Sequence, residues 1–328
     1  MSKRVLLIGC GQLGSRHLQA LVRVPQVSEI VVVDPTPASL DLGRQRVSEI
    51  ADRNQAIQFH WSTVLGPEAR GADLCVIATQ AEGRGALLKA AAESTACRSF
   101  LIEKVVAQSV FEYEEMLGLS KKIGLKVWVN CKTRAYSIHR YIRSKLDPSE
   151  PIVLTAIGGN HGLGNNGVHE ADIFVYHDGC RELKLAGERI DKRLHTSKRG
   201  GHVQDLSGAL FGVSEQGSEF VLSFSATHAS PDLITITSSR ARFLVDHFNK
   251  LAMESYPEDN WAWHPVRVDE NWAVSHMTMG FASDILAKGQ CLLPTLQDCF
   301  PAHKFILNAL KPAFNQLRGN HDDVCPIT

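Results

Sequence analysis

An excess of charge of either sign is missing from this sequence of 328 residues, in which 35 Lys and Arg residues balance 35 Asp and Glu residues. A neutral chain has no positive field with which to hold a nucleic-acid backbone, so no nucleic-acid partner is expected. Apolar runs of the ~18 to 20 residues that a bilayer-spanning helix needs are also missing, which argues against a membrane protein. These absences favour a small molecule as the partner.

Paired-cysteine and metal-ligand spacings are missing too. The eight cysteines include no C-x-x-C pair and form no regular framework, so we expect reduced thiols and a cytoplasmic location. The fourteen histidines include no H-E-x-x-H motif and no Cys/His ligand cluster, so no metal site is predicted. A secretory signal is not expected, because glycines interrupt the short apolar run after Arg4, and we interpret that run as a first β-strand.

The glycine loop "GCGQLG" at residues 9–14 is the first motif that carries chemistry. It lies between an apolar strand, "RVLLIG", and a helical segment, "SRHLQALVRV", as in a dinucleotide-binding βαβ unit. In such a unit the first glycine permits a tight turn, the second lets backbone approach a pyrophosphate, and the third lets the helix pack against the strand. A purely structural glycine turn is the alternative. The loop predicts cofactor contacts from Gly9, Gly11, Gln12, Leu13 and Gly14.

An acid at the end of the next strand strengthens this prediction. "EIVVVD" ends in Asp34, twenty residues after Gly14, where a dinucleotide fold places the carboxylate that accepts hydrogen bonds from the adenine-ribose hydroxyls. Pro35 and Thr36 follow with no nearby arginine, so a 2′-phosphate would meet a carboxylate and find no cation. The predicted cofactor is therefore NAD rather than NADP.

Repeated βα units continue the pattern over the first 125 residues. "ADLCVIAT" and "SFLIEK" are predicted as buried strands with a helical segment between them. They predict an α/β fold with a doubly wound parallel sheet and ligands at the carboxyl ends of its strands, where Thr79, Glu103 and Lys104 occur. After residue 150, longer strands with period-two alternation indicate an antiparallel sheet. We therefore expect one domain over residues 1–125 and a second over residues 126–328.

Four segments in this order, "GCGQLGSRH", "VVVD", "VIATQAEGR" and "IEKV", resemble the Gfo/Idh/MocA oxidoreductases. The resemblance continues through Val129 and Asn130, "GVHEAD" and "PTLQDCFPAHKFILNAL", and so spans nearly the whole chain. It implies an N-terminal Rossmann domain and a C-terminal α/β domain with an open, mostly antiparallel sheet, which often forms a dimer interface. It also implies hydride transfer between NAD(P) and a sugar, an inositol, a nucleotide sugar or a related alcohol.

The resemblance assigns roles to residues at the strand ends. The family's E-K-P becomes Glu103-Lys104-Val105, which implies a glutamate beside the nicotinamide ribose and a lysine directed at the reacting hydroxyl or carbonyl. The alternative for Lys104 is a solvated charge at a strand end. The family's A-T-P-N-x-x-H becomes the segment from residue 78 to residue 84 with three substitutions, and it implies cofactor contacts from Thr79, Gln80 and Arg84.

A second segment with glycine-loop spacing, "GLGNNG" at residues 162–167, runs into "GVHEAD". Its context argues against a nucleotide loop, because "GGNH" separates it from the preceding strand and Glu188, at the spacing of the acid, lies in a polar segment. The family's D-x-G-x-H reads here from Asn165 to His169, with Asn in place of Asp. We expect His169 to act as general base, Asp172 to orient it, Asn165 to hydrogen-bond substrate, and Lys104 to hold the substrate oxygen.

Several alternatives remain open. His169 is either the base or a core histidine whose hydrogen bonds are satisfied within the fold. The seven basic side chains between residues 181 and 199 either receive a phosphate or carboxylate on the substrate or form a solvated face. The accessible face of the second sheet is either wet or the interface of a homo-oligomer, which the resemblance favours. The substitutions at Val105, Arg84 and Asn165 also allow a non-catalytic NAD(H)-binding sensor, because the family includes a regulatory protein that performs no redox step.

Overall fold

The computed structural model of the protein describes residues 2–159, 162–197 and 200–328. Asn160 and His161 of "GGNH", and Lys198 and Arg199 of the basic segment, lie outside the described residues. The chain separates into two compact units. The first contains residues up to Ala107, Phe111–Lys132 and Asn271–Gln297, and the second contains Gln108–Val110, Thr133–Glu270 and Asp298–Thr328.

The first unit is built on a six-stranded parallel sheet. Its strands are β1 (Lys3–Ile8), β2 (Val27–Val33), β3 (Gln58–Ser62), β4 (Leu74–Ile77), β5 (Ser99–Ile102) and β6 (Lys126–Val129). They pair in the order β3-β2-β1-β4-β5-β6, and every neighbouring pair is parallel. Its helices are α1 (Gly14–Leu21), α2 (Pro37–Ser48), α3 (Arg84–Thr95), α4 (Val110–Ile123) and α7 (Val274–Lys288). The strand order is that of a dinucleotide-binding fold, and the predicted doubly wound sheet is confirmed.

The first unit includes two parts of the sequence beyond the expected limit at residue 125. β6 pairs with β5 as a sixth strand, and α7 packs against α1. Thr278 on α7 shares a hydrogen bond of 2.9 Å with His17, and Ser283 accepts one of 3.1 Å from Gln26. These partners are 261 and 257 positions apart in sequence. The expected limit was placed where the pattern of strands changes, and such a change cannot show that a helix late in the sequence packs against α1.

The described residues of the second unit form an eight-stranded sheet, a two-stranded antiparallel sheet and three α-helices. The strands are β7 (Val153–Gly159), β8 (Leu183–Ile190), β9 (His195–Ser197), β10 (Gly200–Asp205), β11 (Gly208–Ser214), β12 (Glu219–Ser225), β13 (Leu233–Thr237), β14 (Arg242–Asp246), β15 (Leu251–Ser255) and β16 (His264–Val266). The helices are α5 (Ser137–Lys145), α6 (Gly167–Asp178) and α8 (Leu296–Arg318). The large sheet has the order β16-β15-β14-β13-β7-β12-β11-β8. Within the described chain β7 and β12 pair in parallel and the other neighbours are antiparallel, which confirms the mostly antiparallel second sheet.

Helices cover one face of this large sheet. Phe220 on β12 packs against Phe174 of α6 at a ring-centroid distance of 5.3 Å and meets Phe305 of α8 edge-on at 5.8 Å. Gly167 lets the start of α6 approach the sheet, since a Cβ there would lie 2.6 Å from a methyl carbon of Leu222. The strands alternate buried and accessible residues, and on the accessible face Ile157 is 52% exposed. The open face that the resemblance implied is therefore present.

The structure also bears on two expectations from composition. All eight cysteines are free thiols, and seven of them are buried. Burial raises the pKa of Cys97 to about 11, so this thiol stays protonated and unreactive near neutral pH. Among the described helices, none combines the length and the apolarity that crossing a bilayer would need.

Three histidines of the second unit form a hydrogen-bonded chain, in which His139 and His177 are buried and His247 is half-buried. His139 Nδ1 lies 3.0 Å from His177 Nε2, and His139 Nε2 lies 2.8 Å from His247 Nε2. Burial lowers the pKa of His177 to about 3, and the charges of Arg143 and Arg134 act in the same direction. Burial, together with the two neighbouring imidazoles, also lowers the pKa of His139 well below its ordinary value. Both rings are therefore neutral in the folded chain at neutral pH.

Replacing His177 with glutamine should remove part of the pH dependence of stability. Because its pKa is lower in the folded chain than the ~6.5 of an unfolded chain, its contribution to stability is complete above that pH and is lost as the pH falls. The wild-type advantage over His177→Gln in the free energy of unfolding by urea should shrink by about 1 kcal/mol per pH unit below pH ~6.5. His321→Gln, at an exposed histidine, is the control. Equal slopes for the two variants would contradict this expectation.

Candidate active site

The glycine loop connects β1 to α1, and at two of its glycines a side chain would clash with the neighbouring backbone. Gly9 has a φ of 86°, and a Cβ there would lie 3.0 Å from the carbonyl carbon of Ala78. A Cβ on Gly14 would lie 1.8 Å from the carbonyl oxygen of Gly9. A Cβ on Gly11 would meet no described atom within 4 Å, so the backbone there borders open space. Gln12 and Leu13 then lead into the N-terminus of α1, and the loop fits a bound pyrophosphate.

Asp34 follows β2 and is bonded to this loop. One carboxylate oxygen accepts a hydrogen bond of 2.7 Å from the backbone N–H of Cys10, and the other accepts one of 2.9 Å from that of Thr36. These two bonds fix the direction of a side chain that is largely buried. A carboxylate oxygen has more than one acceptor position, so ribose hydroxyls can still donate to Asp34.

Two arginines of α2 lie near the loop, although none is adjacent to Asp34 in the sequence. Arg46 donates to the carbonyl oxygen and the side-chain oxygen of Gln12 and to the hydroxyl of Ser15, each at 2.6 Å. Arg44 lies over the ring of Trp61 at 4.8 Å from its centroid. The sequence argument for NAD considered only the chain neighbours of Asp34 and missed these cations. The choice between NAD and NADP therefore depends on the balance between the Asp34 carboxylate and this pair.

Glu103, directly after β5, is the centre of a buried hydrogen-bond network. Its Oε1 lies 2.7 Å from His17 Nε2 and accepts a bond of 2.6 Å from Asn130 Nδ2. His17 in turn contacts the hydroxyl of Thr278. Burial alone would raise the pKa of Glu103, but the bonds from His17 and Asn130 and the charge of Lys104 outweigh it and hold the pKa below its ordinary value. Glu103 is therefore a fixed negative charge at the end of the strand.

Two lysines lie shortly after the strands β5 and β6. Lys104 is half-buried next to Glu103. Lys132, three residues after β6, donates from Nζ to the carbonyl oxygen of Trp272 at 2.9 Å. Burial lowers the pKa of Lys132 to about 8, against the opposing charge of Glu103. An amine that exchanges protons near neutral pH is typical of active sites, and the sequence analysis did not select Lys132.

Thr79, Gln80 and Arg84 follow β4, as the resemblance required. Thr79 and Gln80 are half-buried, and the Thr79 hydroxyl donates to the carbonyl oxygen of Gln80 at 3.1 Å. Arg84 is buried at the first position of α3, and its guanidinium donates to the carbonyl oxygens of Thr79, Glu103 and Val105. The guanidinium that was expected to contact the cofactor is thus directed into the protein.

The "GLGNNG" loop of the second unit is held by a carboxylate. Asp205 Oδ1 accepts 2.8 Å bonds from the N–H groups of Gly164 and Leu206, and Oδ2 accepts one of 2.8 Å from Asn165. In a phosphate-binding loop such amides point at the phosphate. Here Asp205 accepts their hydrogen bonds, which is the physical reason why the glycine spacing does not make this loop a second nucleotide site.

Asn165 is bonded to the last residue of the chain. Its Oδ1 accepts a hydrogen bond of 2.7 Å from the backbone N–H of Thr328. Ile327 packs beside the loop, since a Cβ on Gly164 would lie 2.5 Å from its Cγ2. The substitution of Asp by Asn therefore gives the loop a neutral acceptor for a backbone N–H, and contact with a substrate stays a prediction.

His169 and Asp172 both lie on α6. His169 is in the first turn and half-buried, with its Nδ1 fully buried. The Asp172 carboxylate accepts a bond of 2.7 Å from Arg134 Nε, a shorter one from the same guanidinium, and one of 3.2 Å from Cys299 Sγ. In the described part of the chain Asp172 is thus bonded to Arg134 and Cys299 rather than to His169. This geometry makes it an anchor of α6, and its predicted orientation of His169 lacks a hydrogen bond.

Glu170, between these two, was also missed by the sequence analysis. It is buried, and burial raises its pKa well above the ordinary value, with the negative charges of Asp232 and Asp172 acting in the same direction. Its carboxyl group is therefore held neutral at neutral pH. No local motif marks such a residue, because the larger of the two charge effects comes from Asp232, in the loop before β13.

The basic segment is exposed where the structure describes it. Lys184 pairs with Glu182 at 3.2 Å and Arg189 with Asp191 at 3.4 Å, and the side chains of both basic residues are largely accessible. Arg181 and Lys184 border a cavity of about 390 Å³ between β8 and the first turns of α8. Pairing of this kind favours a solvated face over a dedicated anion receptor.

The predicted residues thus form two groups, one in each unit. All predicted cofactor residues lie in the first unit, in the segments after β1, β2, β4 and β5. Lys104 belongs to this group. Asn165, His169 and Asp172 lie in the second unit, at the start of α6.

Solved structures share this architecture over nearly the whole chain. An oxidoreductase from Agrobacterium radiobacter in complex with NAD+, L-tartaric acid and magnesium has a TM-score of 0.75 and 14% identity, over 96% of this chain and 97% of that one. UDP-N-acetylglucosamine 3-dehydrogenase from Acidithiobacillus ferrooxidans has a TM-score of 0.69 and 14% identity, over 98% of each chain. A variant of a 3-ketoreductase from Actinomadura kijaniata, in complex with TDP-benzene and NADP, has a TM-score of 0.71 and 16% identity, over 95% and 98%.

These likenesses concern the fold. No family model and no curated protein sequence matches the chain. The solved neighbours are oxidoreductases of the Gfo/Idh/MocA type, so the resemblance noted in the sequence is confirmed as a resemblance of fold. The identities of 14% to 16% are too low to transfer an activity by themselves.

Proposed function

We propose that this protein is an NAD(H)-dependent oxidoreductase that moves a hydride to or from a hydroxyl or keto carbon of a sugar, an inositol or a nucleotide sugar. The observation that carries the proposal is the edge of the parallel sheet, where the glycine loop follows β1, Asp34 follows β2 and the Glu103-Lys104 pair follows β5. Solved proteins of the same fold bind NAD+ or NADP, and one of them is a nucleotide-sugar dehydrogenase, which supports the assignment.

The site residues of the first unit each have a chemical task in this function. The N–H groups at the start of α1 bind the pyrophosphate, and Asp34 accepts hydrogen bonds from the adenine ribose. Glu103, held charged by His17 and Asn130, accepts from a ribose hydroxyl on the nicotinamide side. When bound, the nicotinamide ring accepts or donates the hydride. Lys104 donates a hydrogen bond to the reacting oxygen and stabilises negative charge that develops there.

Removal of the hydroxyl proton from the substrate needs a further group besides Lys104. In the oxidation of an alcohol the hydroxyl proton must leave as the hydride departs, and we assign it to His169, following the family resemblance. In the reverse direction the protonated imidazole returns it to the alkoxide. Asn165 hydrogen-bonds a substrate hydroxyl through its amide NH₂, because its amide oxygen already accepts from Thr328.

Lys104→Met and His169→Ala should each lower kcat at least 100-fold with a substrate found in a panel of sugars, inositols and nucleotide sugars, because each removes a group that acts on the reacting oxygen. NADH formation at 340 nm provides the measurement. Lys89→Met and His321→Ala, at exposed positions, are the matched controls. Unchanged turnover in the two site variants would refute the assignment. NADH binding without turnover of any panel member would instead favour a non-catalytic sensor.

Cofactor preference tests the Asp34 argument separately. NADH should bind at least 10-fold more tightly than NADPH in a titration of nicotinamide fluorescence, because the 2′-phosphate would approach a buried carboxylate. Asp34→Ala should reduce this preference, whereas Arg46→Ala should leave NADH binding within about threefold. Tighter binding of NADPH, abolished by Arg46→Ala, would show that the arginines of α2 decide the selectivity.

We further propose that the protein acts in the cytoplasm as a homo-oligomer. Eight free thiols suit a reducing compartment. The accessible face of the eight-stranded sheet carries the apolar side chains of Val153, Ile157 and Leu233, which are each more than a third exposed. A second copy of the sheet would cover them in a self-complementary contact.

Ile157→Glu should therefore lower the molar mass measured by light scattering to that of the single chain, 36.1 kDa, because it places a charge in the centre of the apolar face. Val64→Glu, at a residue that is 67% exposed in the first unit, makes the same change outside this face and should leave the molar mass as in the wild type. A monomeric wild-type protein, or an unchanged oligomer in Ile157→Glu, would contradict the interface.

A further inference from the structure

Arg84 is the largest of the fully buried side chains, and its guanidinium is bonded to backbone rather than exposed to a ligand. Nη1 donates to the carbonyl oxygens of Glu103 at 2.7 Å and Val106 at 3.4 Å, and more closely to that of Val105. Nη2 donates to the carbonyl oxygen of Thr79. A buried guanidinium is costly unless its donors are used, and here both terminal nitrogens donate to backbone carbonyl oxygens.

These carbonyl groups belong to the two segments that carry the predicted nicotinamide contacts. Thr79 follows β4, and residues 103–106 follow its parallel neighbour β5. Arg84 itself begins α3, so one side chain connects the ends of two strands to the start of a helix. The Thr79 carbonyl and the Glu103 carbonyl are thereby held at a fixed separation.

The bonds also determine the direction of Lys104. A peptide group is planar, so fixing a carbonyl oxygen fixes the orientation of the whole peptide plane. Arg84 binds the carbonyl oxygens of Glu103 and Val105, which belong to the residues on either side of Lys104. The bond to Glu103 fixes the peptide plane between Glu103 and Lys104, and the bond to Val105 fixes the plane between Val105 and Val106. The backbone is thus restrained on both sides of Lys104, and its Cα–Cβ bond has little freedom to turn away from the edge of the sheet.

We propose that Arg84 is a positioning residue, which holds the segment from Glu103 to Val106 so that the Glu103 and Lys104 side chains have one fixed direction. This inference rests on the proposed function, in which those two side chains act on the cofactor and the reacting oxygen. It replaces a direct contact between Arg84 and the cofactor. Lysine cannot substitute, because the guanidinium reaches the segment from Glu103 to Val106 with Nη1 and Thr79 with Nη2, whereas an ammonium would have to reach both from one nitrogen.

The first experiment measures the segment without cofactor or substrate. Amide hydrogen exchange of residues 103–107 should be at least 10-fold faster in Arg84→Lys and Arg84→Met than in the wild type, since the segment gains freedom to open. Arg98→Lys and Arg98→Met are matched controls. Arg98 directly precedes β5, at the end opposite to Glu103, and it also donates to backbone carbonyl oxygens, those of Ala92 and Cys97. The Arg98 variants should leave exchange at residues 103–107 unchanged.

The second experiment separates positioning from binding. In both Arg84 variants kcat should fall 10- to 100-fold while the Kd for NADH stays within threefold. The glycine loop and Asp34 do not depend on Arg84, and the Glu103 carboxylate is still held by His17 and Asn130, whereas Lys104 loses its fixed direction. The Arg98 variants should keep both values. A Kd for NADH that rises 10-fold with unchanged hydrogen exchange would show direct contact with the cofactor and overturn the proposal.

The remaining outcomes are also decisive. Hydrogen exchange at residues 103–107 that matches the wild type in both Arg84 variants overturns the proposal, whatever the activity. If both Arg84 variants fail to fold while the Arg98 variants fold, Arg84 serves the stability of the first unit as a whole, which likewise overturns it. Absence of NADH binding and turnover in the wild type would refute the proposed function, whereas the exchange result on the free chain would still report whether Arg84 holds the segment.

Discussion

The parallel pairing of β1 with β2 and β4 is the constraint on which the first unit depends. Parallel strands end at the same edge of a sheet, so the residues after them are brought together whatever their separation in sequence. Gly9, Asp34, Thr79 and Glu103 meet this condition, one after each of four strands. A register slip of one residue in any of these strands would reverse the faces of its side chains and move the following residue away from the edge.

Each unit contains a buried glutamate, and the surroundings shift the pKa values of the two in opposite directions. Glu103 has two side-chain donors and a nearby cation, and it remains charged although it is fully buried. Glu170 has carboxylates as its electrostatic neighbours, and it is held in the neutral form. One environment thus keeps a fixed anion and the other keeps an available proton.

Local pattern was sufficient for the features that a few consecutive residues determine. The glycine loop, Asp34 and the Glu103-Lys104 pair could be located because each follows an apolar strand directly, and the fold class followed from their repetition. Partners across long separations could not be located. The contact of His17 with Thr278, the bond from Asn130 to Glu103 and the pairing of Arg134 with Asp172 join residues from 27 to 261 positions apart. The i,i+3 spacing of His169 and Asp172 suggested a pair, but Arg134 competes successfully for the carboxylate because it can bind both oxygens.

The late position of α7 in the sequence has a consequence for synthesis. α7 packs against α1, yet about 140 residues lie between Lys132 and the first residue of α7. At a ribosomal rate of about 5 to 20 residues per second, we expect the nascent first unit to wait about 7 to 30 s for this helix. During that interval the face of α1 that carries His17 is uncovered, and a chaperone that recognises exposed apolar helices has time to bind there before the sheet's last covering helix emerges.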